Sequence, residues 1–173
     1  HKPVERFIRE YRDIKLKYPD AQVSVLAHSF GTYVVTKALK QEPDIVLDRV
    51  ILCGCIVEES FRVAPFRAQL GDQPVVHDCG TNDIWPLLAK SITWGYGATG
   101  TFGFGTNGIV DRFHPFAHSS YFDVDFVRKF WVPFMRSGTI VQSEWGAKRP
   151  APPAWQSLLA ASNLKYLIPL LLI

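Results

Sequence analysis

Ser29 is the residue of this 173-residue chain with the clearest chemical potential, standing in Val23-Ser-Val-Leu-Ala27-His28-Ser29-Phe30-Gly31-Thr32. A serine hydroxyl is a weak nucleophile until a neighbouring base takes its proton and a third group orients that base. Histidine and carboxylate supply those functions, and both follow Ser29 in the chain. His114 and His118 fall late, in Phe113-His-Pro-Phe-Ala-His118-Ser-Ser-Tyr-Phe122. Asp83 lies between, in Gly80-Thr-Asn-Asp83-Ile-Trp-Pro86, with Asp78, Glu58, Glu59 and Asp111 as competing acids. Each residue also has a purely structural reading. Ser29 could cap the helix beginning near Thr32, Asp83 could cap a turn before Pro86, and either histidine could be a satisfied loop residue.

The elements that would have to position these groups are legible from periodicity. Val4, Phe7, Ile8, Tyr11 and Ile14 recur at helical spacing, predicting an amphipathic helix over 3–17 with Pro3 in its first turn. A β-rich run over 21–27 leads into Ser29, and a helical pattern over 32–40 leads out of it. The nearly unbroken apolar run Val50-Ile-Leu-Cys-Gly-Cys-Ile-Val57 predicts a strand buried on both faces within residues 46–57. Residues 74–79 predict a third strand, 86–94 a helix, 109–114 a last short strand and 122–132 a final helix. Strands alternating with helices through short connections imply an α/β fold with a parallel sheet flanked by helices.

The segment Ala27-His28-Ser29-Phe30-Gly31, between a strand and a helix, resembles the nucleophile elbow of the α/β-hydrolase superfamily, of the serine esterase and lipase kind. The elbow is a sharp, strained turn that lifts the serine hydroxyl above the sheet, so the residues two before and two after must be small. Ala27 stands where that family most often has glycine. The resemblance implies a triad in the chain order Ser, Asp, His: Ser29 as nucleophile, Asp83 as acid on the loop after the penultimate strand, and His118 as base before the final helix. His114 is the alternative base. It also implies the backbone N–H of Phe30 as one oxyanion donor, with His28 pointing away from the nucleophile. It covers residues 1–135 and corresponds to the C-terminal half of that fold. The N-terminal strands and the second oxyanion donor are then expected before residue 1, and the isolated fragment is expected to be inactive.

Composition narrows the remaining classes. A net charge of +3 without a dense Lys/Arg stripe argues against nucleic acid as a partner. Cys53, Cys55 and Cys79 are odd in number and sit in apolar runs, which argues against a disulfide framework and for a reducing, cytoplasmic location. Cys53-x-Cys55 lacks the second pair of ligands that a zinc site needs. Gly95-Tyr-Gly97-Ala-Thr-Gly100 spells a dinucleotide fingerprint, but a helix rather than a strand is predicted before it. Neither a metal nor a cofactor is expected, and a flexible loop near the base is the alternative for that segment. Residues 136–154 read as a Pro-rich linker. Residues 155–173 form an apolar C-terminal segment, either a docking helix or the start of a membrane helix, which would make the protein membrane-associated. The functional expectation is a serine hydrolase acting on a small-molecule or lipid acyl ester or thioester. The alternative is a catalytically inactive hydrolase-like module that binds a partner within a larger protein.

Overall fold

In the computed structural model, residues 2–146 and 148–166 are described. Helix α1 (Lys2–Lys17) buries Val4, Ile8 and Tyr11, the apolar stripe of its amphipathic pattern. Strand β1 (Val25–His28) runs straight into α2 (Phe30–Gln41), with Ser29 as the single residue between them. Strand β2 (Val50–Cys53) follows, then a short 3-10 turn and α3 (Arg67–Leu70), then β3 (Val75–Gly80). Helices α4 (Trp85–Ile92) and α5 (Thr99–Phe102) precede β4 (Ile109–His114). The chain closes with α6 (Val124–Phe126), a π-helical stretch Val127–Trp131, α7 (Val132–Ser137) and, after an irregular segment, α8 (Ala154–Ala161).

The four strands form one sheet in the order β1-β2-β3-β4, every pair parallel. This is an α/β architecture with helices on both faces. The side-chain alternation of strands separates the two cores. On one face Leu52, Val75 and Ile109 pack with Val4 and Ile8 of α1 and Val35 and Leu39 of α2. On the other, Ile51, Cys53 and Val76 pack with Phe126, Phe130, Trp131 and Phe134.

Three segments differ from their sequence-based expectation. The apolar run over 46–57 is strand only at 50–53, because Gly54 adopts φ 54° and turns the chain out of the sheet, although Cys55, Ile56 and Val57 stay buried. The expected helix over 122–132 forms as one continuous helical run over 124–137, preceded by a 3-10 turn at Ser120–Phe122, but it contains a π turn between α6 and α7. Pro133 has no N–H to give the carbonyl of Lys129, which lies within the π turn. The glycine-rich stretch is packed rather than free. The N–H groups of Gly97 and Gly100 donate to Ile56 O and Cys55 O at 2.8 Å each, and a Cβ at either glycine would lie 2.4 Å from backbone atoms. These glycines serve close backbone contact, and α4 rather than a strand precedes them.

All three cysteines are buried and free. The described residues of 138–153 hold no helix or strand, yet Ile140 and Val141 pack on the second core and Arg149 donates to Thr101 O at 2.8 Å. Gln156 of α8 is buried and donates to Thr81 O at 2.8 Å. Among the described residues, no helix is long and apolar enough to cross a membrane. The expected C-terminal apolar segment falls partly on 167–173, outside the described residues.

Candidate active site

In a parallel sheet, the loops leaving the C-terminal ends of the strands cluster on one edge. Four such loops here carry the residues of interest: Ser29 follows β1, Gly54 follows β2, Asp83 follows β3 and His118 follows β4.

Ser29 occupies a backbone conformation that side-chain-bearing residues rarely adopt, φ 52° and ψ −122°, and is alone among the described non-glycine residues in having positive φ. The turn is pinned from both sides. The Ser29 N–H donates to Cys53 O at 3.0 Å, and its carbonyl accepts from the Thr32 N–H at 3.0 Å and the Thr32 hydroxyl at 2.6 Å. Its side chain makes no capping bond to the helix. Instead Oγ lies 2.9 Å from His118 Nε2. A Cβ on Gly31 would make ordinary van der Waals contact with Ala27 Cβ, 3.9 Å away.

His118 Nδ1 lies 2.8 Å from Asp83 Oδ2, so Ser29, His118 and Asp83 form one continuous hydrogen-bonded chain. With Nδ1–H donating to the carboxylate, Nε2 is left as the acceptor facing the serine hydroxyl. Asp83 is 0% exposed, and its other oxygen, Oδ1, accepts the Trp85 N–H at 3.0 Å. Both of its oxygens are therefore occupied, and its backbone carbonyl accepts from the Thr101 hydroxyl at 2.7 Å. The loop bearing His118 is tied to the β3 loop through the Asn82 N–H, which donates to Phe116 O at 3.1 Å.

His28 contacts His118 and its loop. Its Nε2 lies 2.7 Å from the His118 carbonyl, which can only accept, so Nε2 carries the proton. The two imidazoles are 4.5 Å apart, and burial lowers the pKa of His28, which favours this neutral form. Beneath both rings lies Gly54, where a Cβ would come within 3.0 Å of His28 Nε2 and 3.1 Å of His118 Cε1. Phe30, Trp85 and Phe122 stand around the serine, each substantially exposed. Trp85 has its ring 6.3 Å from that of His118, and Phe122 meets His28 edge-on at 5.1 Å. Phe30 opens α2, so its N–H has no carbonyl one helical turn back to bond.

His114 is placed elsewhere. As the last residue of β4 it points to the sheet face carrying Asp78, and its Nε2 lies 3.0 Å from Asp78 Oδ1. Asp78 also accepts Arg112 Nε at 2.8 Å, Arg112 Nη2 at 2.7 Å and Trp131 Nε1 at 2.8 Å. Burial acts to raise the Asp78 pKa, but the hydrogen bond from His114 and the charge and hydrogen bonds of Arg112 outweigh it and hold the carboxyl below its ordinary value. Glu59 pairs with Lys90 at 2.8 Å, and Glu58 is exposed.

Sequence reasoning missed a second buried cluster on the opposite sheet face. His77 Nδ1 lies 2.6 Å from Asp111 Oδ1, and Asp111 Oδ2 accepts the N–H groups of Phe104 at 2.9 Å and Gly105 at 2.8 Å. Burial would lower the His77 pKa, yet the Cys79 sulfur and the Asp111 carboxylate outweigh it and hold the imidazole protonated well above its ordinary value. Burial pushes the Cys79 thiol up to about 11. His77, Cys79 and Asp111 place three potential ligand atoms within 4.8 Å of one another. The Nδ1 and Oδ1 atoms of that set are already bonded to each other, so the cluster is a buried ion pair with a thiol beside it.

No family model, curated protein or solved structure matches this chain. Functional assignment therefore rests on the geometry of the site.

Proposed function

We propose that this chain is a serine hydrolase of the α/β-hydrolase type, cleaving an ester, thioester or related acyl bond through Ser29, His118 and Asp83. The observation that carries the reading is the hydrogen-bonded chain from Ser29 Oγ through His118 to the buried Asp83, with Ser29 on a strained strand-to-helix turn. A serine serving only as a helix cap would bond the helix N–H groups, and this one does not.

In the proposed mechanism His118 Nε2 takes the proton from Ser29 Oγ as the oxygen attacks the acyl carbonyl. Asp83 keeps the imidazole in the Nδ1–H tautomer and stabilises the imidazolium. The negative charge developing on the carbonyl oxygen is met by the Phe30 N–H, supported by the positive end of the twelve-residue α2. Collapse of the tetrahedral species expels the leaving group, which receives the proton from His118. Water, deprotonated by the same histidine, then hydrolyses the acyl-enzyme.

Hydrolysis of chromogenic acyl esters by the full-length protein tests this. Ser29→Ala and His118→Ala should each lower kcat by about a thousandfold or more, and their double variant should lose no more than either alone, because the groups act as one unit. Retained turnover in Ser29→Ala would contradict the proposal.

A further inference from the structure

Phe30, Tyr33, Lys37 and Lys40 recur at helical spacing along α2 and lead away from Ser29. The Phe30 and Tyr33 rings stack at 5.8 Å, and Tyr96 closes edge-on against Tyr33 at 5.1 Å. Beside this stripe lies a cavity of about 280 Å³. Its floor is apolar: Val57 and Phe61 are buried, and Phe66 stacks on Phe61 at 5.5 Å. Its lining charges are unbalanced, with Lys37, Lys40 and Arg62 set against one carboxylate, Glu58.

Among the described residues none of these three cations forms an ion pair. Arg62 is nonetheless held in place, its Nη1 donating to Glu59 O at 2.7 Å and Phe61 O at 2.9 Å. Lys37 lies over the Tyr33 ring, with Nζ 5.2 Å from its centre. An apolar floor under a cationic rim is complementary to an amphiphile whose anionic head meets the rim while its body covers the floor. The groove is also within reach of the serine. Lys37 stands eight positions beyond Ser29 along the helix, about 12 Å at a rise of roughly 1.5 Å per residue.

Resting on the reading of Ser29 as nucleophile, we infer that this groove takes the distal end of the substrate, and that the preferred substrate is an ester with an apolar chain ending in a carboxylate. Chain length is then a specificity element, set by the span from the serine to the cationic rim.

Two measurements on the whole chain test the inference and separate it from the hydrolase reading. Calorimetric titration with decanoate, and with decanol as its uncharged match, reads the groove without turnover. Decanoate should bind the more tightly, and Lys37→Gln/Lys40→Gln/Arg62→Gln should weaken it about tenfold or more, as expected for losing several partly exposed charge contacts. Glu58→Gln should strengthen it, a gain that a merely structural role of these side chains would not produce. High salt should erase the difference between the two ligands. In parallel, kcat/KM is compared for nitrophenyl half-esters of dicarboxylic acids and uncharged esters of equal length. The charged series should be preferred, with an optimum where the carboxylate lies about 12 Å from the ester. The triple variant should lose that preference. Equal binding of decanoate and decanol, or a charge preference surviving in the triple variant, would overturn the groove assignment and leave the hydrolase reading standing. Absence of turnover on every ester, with decanoate still held at the rim, would overturn the hydrolase reading and with it the assignment of the groove to substrate.

Discussion

The backbone of Ser29 is held at φ 52° and ψ −122° by the Cys53 carbonyl on one side and Thr32 on the other. A side-chain-bearing residue held in such a region costs of order 1–3 kcal/mol, and glycine escapes most of that cost. Ser29→Gly should therefore be more stable than Ser29→Ala by about 1 kcal/mol, although neither keeps the hydroxyl. Thermal melting of the two variants checks this, and equal midpoints would mean the turn is unstrained. His28 supports the histidine across the site through the bond from its Nε2 to the His118 carbonyl. Its loss should misplace His118 without touching substrate binding, so His28→Ala should lower kcat about ten- to a hundredfold with KM little changed. His28→Gln, whose amide can donate, should recover part of the loss in steady-state kinetics. Residue by residue, legibility followed locality. Ser29 was readable because its neighbours in sequence make its turn. The bond from His28 to His118 joins residues 90 apart, and His77 meets Asp111 34 apart, so neither left a local signal.

At the scale of elements, the strand ends decide which side chains meet. β4 ends at His114, and its alternation sends Arg112 and His114 together toward Asp78 on β3, leaving the loop beyond to bring His118 back over Ser29. The order of strands and helices was visible in apolar periodicity. The register Asp78↔Arg112, which assigns His114 to a buried network, was not, because a two-residue alternation gives no information about the partner strand. Two predictions belong here. Gly54 combines φ 54° with a Cβ direction that runs into both His28 and His118, so Gly54→Ala should lower both stability and kcat. Thermal melting together with ester kinetics reads the two effects, and an unaltered kcat would show that the floor under the imidazoles is not tight. Asp78→Ala would leave the fully buried Arg112 guanidinium without its counter-charge, and should cost about 3–5 kcal/mol in urea unfolding. The final helix hides its π turn from the sequence for a reason at this scale. Its Phe and Trp spacing is helical throughout, and the missing N–H of Pro133 acts on the turn before it.

For the molecule as a whole, one buried cluster on each sheet face ties stability to pH. Asp78 and Asp111 are both held below the ordinary carboxylate value, so the unfolded chain takes up protons before the folded one as pH falls. Their contribution is full above about pH 4, the ordinary carboxylate range, and is lost as pH drops through their depressed values. His28, lowered by burial, adds a weaker acid slope that begins near its ordinary value of about 6.5. His77 runs the other way. Its raised value makes its contribution full below about 6.5 and lost as pH climbs through a folded value well above that. Melting temperature across pH should fall on both sides of a maximum near about pH 6.5, and the alkaline fall should become shallower in Asp111→Asn, which removes one partner of His77, while the Cys79 thiol, pushed up to about 11, keeps a fall at higher pH.

Activation of Ser29 by His118 and Asp83 can be read by reacting the full-length folded protein with a fluorophosphonate probe, which couples only to an activated serine. The unaltered protein should label, Ser29→Ala should not, His118→Ala should lose most of the signal and a folded His114→Gln should keep it. A folded chain that does not label, labelling that survives Ser29→Ala, or loss that follows His114 instead of His118 would contradict this activation.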